Sequence, residues 1–260
     1  MASSSVSPEL LAAPRCALTE PVSIVMPVFN ERDILESVLA EYAEVLFRHL
    51  PPGSEFLIDE GGSSDGTREM LQEFKRRWPF LDVVHKTQRE GAWKALQDLV
   101  LRARCPWVFV VDSDGQCVAQ EFWRLAPFMG DHDLVLGAKR IRYDPYYRRF
   151  GSEVFNAGMK LLFGIRHSDI NFSFRLCRRD AIQECARRYA RVLPNLFNAE
   201  TTIWAHVLGY RIKEVPVHFR PRLYGVSHCF PGGSWFSECV ASFAALLRFK
   251  RSLPRTGARP

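Results

Sequence analysis

Apolar residues recur along this chain with two spacings that take turns. Val22 to Val28 is a short β-branched run closed by Pro27 and the turn-former Asn30, and it reads as a strand. From Glu31 to Leu50 the apolar residues Ile34, Leu35, Val38, Leu39, Tyr42, Val45 and Leu46 fall at helical spacing, and Pro51-Pro52-Gly53 stops the helix. Phe56 to Ile58 reads as a second strand, followed by the turn Gly61-Gly62-Ser63-Ser64-Asp65-Gly66-Thr67 and a helix to about Trp78. Leu81 to His85 is a third strand and Gly91 to Arg104 a third helix. Trp107 to Val111 is a fourth strand, apolar throughout, as a strand covered on both faces is. The alternation predicts an α/β domain with a mostly parallel sheet.

Composition narrows the class. The chain has 260 residues, 47% of them hydrophobic and 25% charged, enough apolar material for one packed domain and too much for disorder. Seven cysteines form no C-x-x-C pair, so neither a disulfide framework nor a structural zinc site is suggested and a reducing compartment is expected. No apolar run approaches the roughly 20 residues that span a bilayer. The first 20 residues lack the basic start and apolar stretch of a signal peptide and read as a flexible Ser/Pro-rich leader. The net charge of +6 points to an anionic partner, whether phosphate, nucleic acid or a lipid surface.

The most informative junction follows the fourth strand. In open α/β sheets ligands bind at the carboxyl ends of strands, and here an apolar strand delivers Asp112 and Asp114, one residue apart, to that edge. With Gln116 they form an oxygen-donor set suited to Mg2+ or Mn2+, a hard cation that keeps positions open for a substrate diphosphate. An isolated Asp-x-Asp is usually a solvated turn; its place after a buried-looking strand favours the metal reading.

Taken in order, the segments VSIVMPVFNE, EGGSSDGT, EGAWKAL, VFVVDSDGQ, GAKRIRYDPYYRRFGSEVFN, DINFSFRLCRR and EVPVHFRPRLYGVSH resemble the family-two inverting nucleotide-sugar glycosyltransferases, from about Val22 to His228. The later segments look most like the polyprenyl-phosphate (dolichol-phosphate) branch. The resemblance implies a GT-A fold over residues 21–233, a single Rossmann-like domain, followed by an amphipathic helix and basic tail at 234–260. It also implies that Pro27, Asn30 and Glu31 border the nucleoside, that Gly91 passes close to the nucleotide, and that Asp112, Asp114 and Gln116 hold the metal and diphosphate. Glu60 stands where the family usually has a base-contacting Asp, and Gly61 where a second acid is common. Asp59 fits that place only if the strand shifts by one residue. Trp93 and Lys94 replace smaller residues.

The acceptor side follows. Residues 137–152 hold Lys139, Arg140, Arg142, Arg148 and Arg149 against a single acid, Asp144. On a helix Arg148 and Ser152, four apart, share a face and together suit one phosphate, the alternative being a solvated basic face. The lipid-phosphate branch resembles this arrangement, and Arg222 and His228 resemble its basic loop near the diphosphate. A phosphomonoester nucleophile, with a second pKa of about 6, needs no general base. For a hydroxyl acceptor the candidate bases are Asp169 and Glu200, each of which has an ordering role through arginine pairing as its competing reading.

Two readings compete for the stripe Trp235, Phe236, Cys239, Val240, Phe243, Leu246 and Leu247: packing on the domain, or lying in a membrane interface beside the basic tail. The expected activity is a metal-dependent inverting transfer of a hexose, mannose from GDP-mannose or glucose from UDP-glucose, to a polyprenyl or dolichyl phosphate. Asp112, Asp114 and Asp169 are its catalytic candidates. The alternatives are a soluble transferase acting on a small-molecule or peptide hydroxyl, and a nucleotide-sugar-binding protein without catalysis. The expected place is cytoplasmic, with a peripheral position at the membrane face or a membrane partner subunit left open. Nucleic acid is excluded because the charge does not line a groove with interleaved aromatics.

Overall fold

Seven strands form one sheet in the order β3-β2-β1-β4-β6-β5-β7 in the computed structural model, which describes residues 18–140, 146–192, 196–221, 244–251 and 253, and for 146–152 the backbone alone. The first four strands are β1 (Val22–Val28), β2 (Glu55–Glu60), β3 (Leu81–His85) and β4 (Trp107–Val110), paired in parallel with one another. Next come β5 (Leu134–Lys139), β6 (Arg175–Arg178) and β7 (Ile212–Val217). β6 runs antiparallel to both β4 and β5, while β5 and β7 are parallel. The predicted mostly parallel α/β sheet is therefore present, with one reversed strand in its middle.

Helices α1 (Arg32–Glu41), α2 (Thr67–Arg77), α3 (Ala92–Arg102), α4 (Phe122–Leu125), α5 (Tyr146–Phe163), α6 (Arg179–Arg187) and α7 (Phe197–Val207) cover the two faces. Ile24, Met26, Phe56, Ile58 and Phe109 point to the α1 and α2 side, and Val25, Leu57, Val108 and Val110 to the α3 and α6 side. This alternation along fully buried strands explains why they read as unbroken apolar runs.

Two boundaries differ from the sequence expectation. The helix expected to run to Leu50 ends at Glu41 and continues as a π-helical turn over Tyr42–Leu46 and a 3-10 turn over Phe47–His49. The wider turn keeps Tyr42, Val45 and Leu46 inside the core and lets the Tyr42 hydroxyl donate to Cys117 O at 3.4 Å. β2 reaches beyond Phe56–Ile58 at both ends, because its terminal carboxylates are buried with partners. Glu55 accepts from Ser23 Oγ at 2.6 Å and from the Arg104 guanidinium.

Residues 244–251 form α8. Ala245, Leu246 and Phe249 are buried in a third cluster with Met159, Ile170 and Ile203, and the Phe249 ring lies 5.7 Å from that of Trp204. Of the predicted stripe only Leu246 and Leu247 are described: Leu246 packs on the domain and Leu247 is exposed. Residues 1–17 of the leader, the stretch Trp235 to Phe243, and Arg255 and Arg259 of the basic tail lie outside the described residues, while Arg248, Lys250 and Arg251 are exposed on α8. No helix among the described residues is long and apolar enough to cross a membrane.

Candidate functional site

The carboxyl edge of β1, β2, β3 and β4 carries three turns, which the sequence furnishes with Asn, Gly, Ser and Asp. After β1, Asn30 sits at φ 52, a left-handed conformation that Asn tolerates. Its N–H donates to Ser63 Oγ at 3.0 Å, and its Oδ1 accepts the Ser64 N–H at 2.9 Å. The Glu31 N–H donates to Thr67 Oγ1 at 3.1 Å, and Pro27 pairs with Asp59 inside the sheet. Asp65 accepts the Thr67 N–H at 3.0 Å and the Arg32 N–H at 3.1 Å, which holds its pKa below the usual carboxylate value although burial pulls it the other way. The first two turns therefore bind each other.

Glu60 is wholly buried and belongs to this scaffold. One carboxylate oxygen accepts the Ser63 N–H; the other lies 2.8 Å from Arg68 Nε and 3.4 Å from His85 Nδ1. Burial alone would raise its pKa, but the Ser63 N–H and Arg68 outweigh it and leave the group lowered. Asp59 faces the opposite side, 2% exposed and 3.7 Å from Lys86 Nζ. There burial wins and the carboxyl pKa is raised, with Lys86 opposing. In the β1–β2 ladder Asp59 stands opposite Pro27 and Glu60 opposite Val28.

The turn after β4 is differently built. Asp112 and Asp114 are half-buried. Asp114 Oδ1 accepts the Gln116 N–H at 3.1 Å. Gly115, at φ +70, faces Ile34, where an added Cβ would come within 2.7 Å of Cδ1, so the turn lies flat on α1. Gln116 Nε2 donates to Arg220 O at 3.2 Å, and the Arg220 N–H returns to Gln116 O at 2.8 Å. Arg220 in turn lies 2.7 Å from Glu41. The chain leaving β7 is thereby tied to the Asp112-Ser113-Asp114 turn.

The negative field of these carboxylates is felt inside. Burial pushes the Cys117 thiol and the Tyr42 phenol well up, and Asp112 and Asp114 push both further. Cys117 is a buried small residue and not a nucleophile. Two carboxylates and the Gln116 side-chain oxygen make a hard-donor set that fits a divalent cation completed by substrate oxygens. Among the described residues, no group of three or more His, Cys, Asp or Glu could hold a metal alone.

Asp169 reaches the same edge on the loop before β6. Its N–H donates to Glu214 Oε1 at 3.0 Å, and Ser168 donates to the same carboxylate through N–H and hydroxyl at 2.8 and 2.7 Å. The loop is fixed from below by Arg175, whose side chain is wholly buried. Its guanidinium donates to Ile170 O at 2.8 Å, Phe172 O at 2.8 Å, Asn198 O at 3.0 Å and Thr202 Oγ1 at 3.1 Å. Burial lowers its pKa to about 10, and the charges of Asp169 and Asp112 pull the other way. Arg175 was missed in the sequence; an arginine alternating into the apolar run FSFRLC is the signal that marks it.

Lys139, at the end of β5, lies 4.3 Å over the Phe219 ring and 5.1 Å over that of Phe172, close enough for its charge to oppose the rise at Cys117. Asp112, Asp114, Asp169 and Lys139 thus meet at one edge. Arg140 is exposed, its N–H bonded to Val217 O at 3.0 Å. Gly91, at φ +99, opens α3 at the end of the loop after β3. Arg148 and Ser152 are on α5, but their side chains lie outside the described residues, as do Arg142, Arg222 and His228. Glu200 is wholly buried, and its carboxylate accepts the Ala190 N–H at 2.7 Å and the Val192 N–H at 3.0 Å. Its carboxylate orders the loop between α6 and α7 through these backbone amides.

The profile of Glycosyl transferase family 2 matches residues 23–186. Polyprenol monophosphomannose synthase of Mycolicibacterium smegmatis is 26% identical over 219 residues, covering 80% of this chain and 81% of that one. An undecaprenyl-phosphate 4-deoxy-4-formamido-L-arabinose transferase of Pseudomonas savastanoi is 30% identical over 70% of this chain, which spans only 56% of that relative. Among solved structures, the mannosyltransferase PcManGT from Pyrobaculum calidifontis, in complex with GDP-Man and Mn2+, superposes with a TM-score of 0.60 at 19% identity, over 93% of this chain and 66% of that one. Glucosyl-3-phosphoglycerate synthase from Mycobacterium tuberculosis, with Mn2+, UDP-glucose and phosphoglyceric acid, gives 0.59 at 17% identity, over 96% and 85%. At these identities the structural likeness concerns the fold alone.

Proposed function

This chain belongs to glycosyl transferase family 2 and is a glycosyltransferase, and from that premise we propose that it moves a hexose from a nucleotide diphosphate sugar to a polyprenyl phosphate. The observation that carries the reading is the placing of the half-buried Asp112 and Asp114 together in the turn after β4, at the carboxyl edge of the parallel strands. Asp112, Asp114 and Gln116 would hold Mg2+ or Mn2+, which when bound neutralises charge on the departing nucleoside diphosphate. Pro27, Asn30 and Glu31 border the nucleoside and at Gly91 the protein backbone passes close to the nucleotide, while the scaffold role of Glu60 takes it out of direct base contact.

The relatives named for polyprenol and undecaprenyl-phosphate transfer support the lipid acceptor. So does Glu200, whose two carboxylate oxygens already hold backbone amides, which fits a nucleophile that is ionised without a base. Lys139 and Arg140, with Arg148, Ser152, Arg222 and His228, form the acceptor-phosphate set. Asp169 orders that side and supplies negative charge near the reacting centre.

The test is a donor and acceptor screen. Thermal shift with GDP-mannose, UDP-glucose, GDP and UDP, with and without Mn2+, should single out one nucleotide and require the metal. Transfer should then be seen to farnesyl phosphate and not to farnesol. Stabilisation by none of the nucleotides refutes the reading, and equal use of farnesol replaces the phosphate acceptor by a hydroxyl one.

A further inference from the structure

Most described cations around the head of α3 have a carboxylate. Lys86 lies 2.9 Å from both Glu90 and Asp98, Lys94 pairs with Asp98, and Arg68 is 2.8 Å from Glu60. Arg191 differs. It is exposed, its guanidinium lies 4.4 Å over the Trp93 ring, and it has no carboxylate partner among the described residues.

The topology brings Arg191 to the substrate edge. α6 starts at the opposite edge, where the Arg179 N–H meets Pro106 O at 2.8 Å, and it climbs antiparallel to α3. Gln183 Nε2 donates to Ala103 O at 3.0 Å near the foot of α3, and Gln97 Nε2 to Ala186 O at 2.9 Å further up. The residues just after α6 therefore stand level with Gly91 and Trp93 at the head of α3.

Three contacts fix the position. The buried Glu200 carboxylate takes the N–H groups on either side, of Ala190 and Val192, at 2.7 and 3.0 Å. Arg191 between them is held at φ 55, a left-handed backbone that Gly or Asn adopts more readily, so nothing in the backbone calls for arginine. The Trp93 ring is backed by Tyr189 at 5.9 Å and lies so close to Gly91 that an added Cβ would be 3.0 Å from Nε1. With its Cζ over an indole ring and no carboxylate partner among the described residues, the guanidinium keeps N–H groups for a charged acceptor, and their fork matches phosphate oxygens.

We propose that Arg191, held over Trp93 by the Glu200-bound loop, grips a phosphoryl group of one of the two substrates, the donor diphosphate or the acceptor phosphomonoester. This assignment rests on the transferase reading above. It makes Trp93, a bulky departure from the family pattern, the platform that aims the arginine.

Isothermal titration of the full chain with GDP and UDP in Mn2+, and with farnesyl phosphate, compares wild type with R191G and R191K. R191G should keep its thermal midpoint, since glycine takes φ 55 without strain, yet bind one class of probe about tenfold more weakly. R191K should fall between, having charge without the fork. The class that weakens identifies the substrate held. Unchanged affinity for both classes in R191G overturns the proposal, and if R191G does not fold, R191Q is judged by the same criterion. A wild type that binds farnesyl phosphate but no nucleotide refutes the transferase reading while Arg191 is still judged on the lipid phosphate. Binding of neither class refutes both.

Discussion

The turns after β2 and β4 leave the same edge of the same sheet, and both are acidic and glycine-bearing, yet they are built for different ends. After β2, Glu60 and Asp65 meet the N–H groups of Ser63, Thr67 and Arg32 and the guanidinium of Arg68. After β4, Asp114 takes one N–H from its own turn, and Asp112 and Asp114 stay half-buried on a loop pinned by Gln116 and Arg220. A carboxylate sealed among its own amides is a strut. A half-buried carboxylate on a loop held still by its neighbours is placed at the edge where a ligand arrives. Strand-end acidity alone does not separate the two.

The largest effect should come from the turn after β4. Asp114→Asn should cut transfer by about 10³-fold or more through loss of electrostatic stabilisation of the leaving group, with the thermal midpoint unchanged. Transfer within tenfold of wild type in a radiolabelled-sugar assay would erase the distinction between the turns.

Arg175→Met extends the comparison to the loop before β6. It should cost about 3 kcal/mol or more in urea denaturation, because the carbonyls of Ile170, Phe172 and Asn198 lose a buried donor. Near-wild-type stability would mean that the loop holds itself.

Glu60→Gln should cost about 2 kcal/mol at pH 7 with the donor site kept in place. Its sign with pH is fixed. The Glu60 pKa is lowered on folding, so its contribution is present above the ordinary value of 4.5 and is lost as pH falls through the folded value. The stability difference between wild type and Glu60→Gln should therefore shrink on acidification below about pH 4.5. A difference that grows there would overturn the strut role of Glu60. Smallest of the four, Gly91→Ala should cost about 1–2 kcal/mol, from φ +99 and the close Trp93 ring. A neutral result in thermal melts would show that the head of α3 gives way to a methyl group.

Much of this could be read without the fold. β1, β3 and β4, the starts of α1 and α2, and the placing of Asp112 and Asp114 at a strand end follow from periodicity and turn chemistry within short windows. The reach of β2 could not, because Glu55 and Glu60 read as polar ends until Arg104 and Arg68 are seen to bury them. The π-helical turn at Tyr42–Leu46 was hidden by an apolar pattern that suits either helix. The reversed strand β6 and the packing of Ala245, Leu246 and Phe249 on Ile203 are likewise matters of what lies opposite, not of local pattern.

The sequence by itself determined the α/β class, the family resemblance and the two acids presented to the substrate edge. Only the tertiary structure decided which acids are struts: Glu60 through Arg68, Glu200 through the amides beside Arg191, Glu41 through Arg220, which is 179 positions away. The reason is range. Periodicity and turn chemistry act over a few residues, whereas a carboxylate's role is set by burial and by the donor that meets it, and that donor can come from anywhere in the chain.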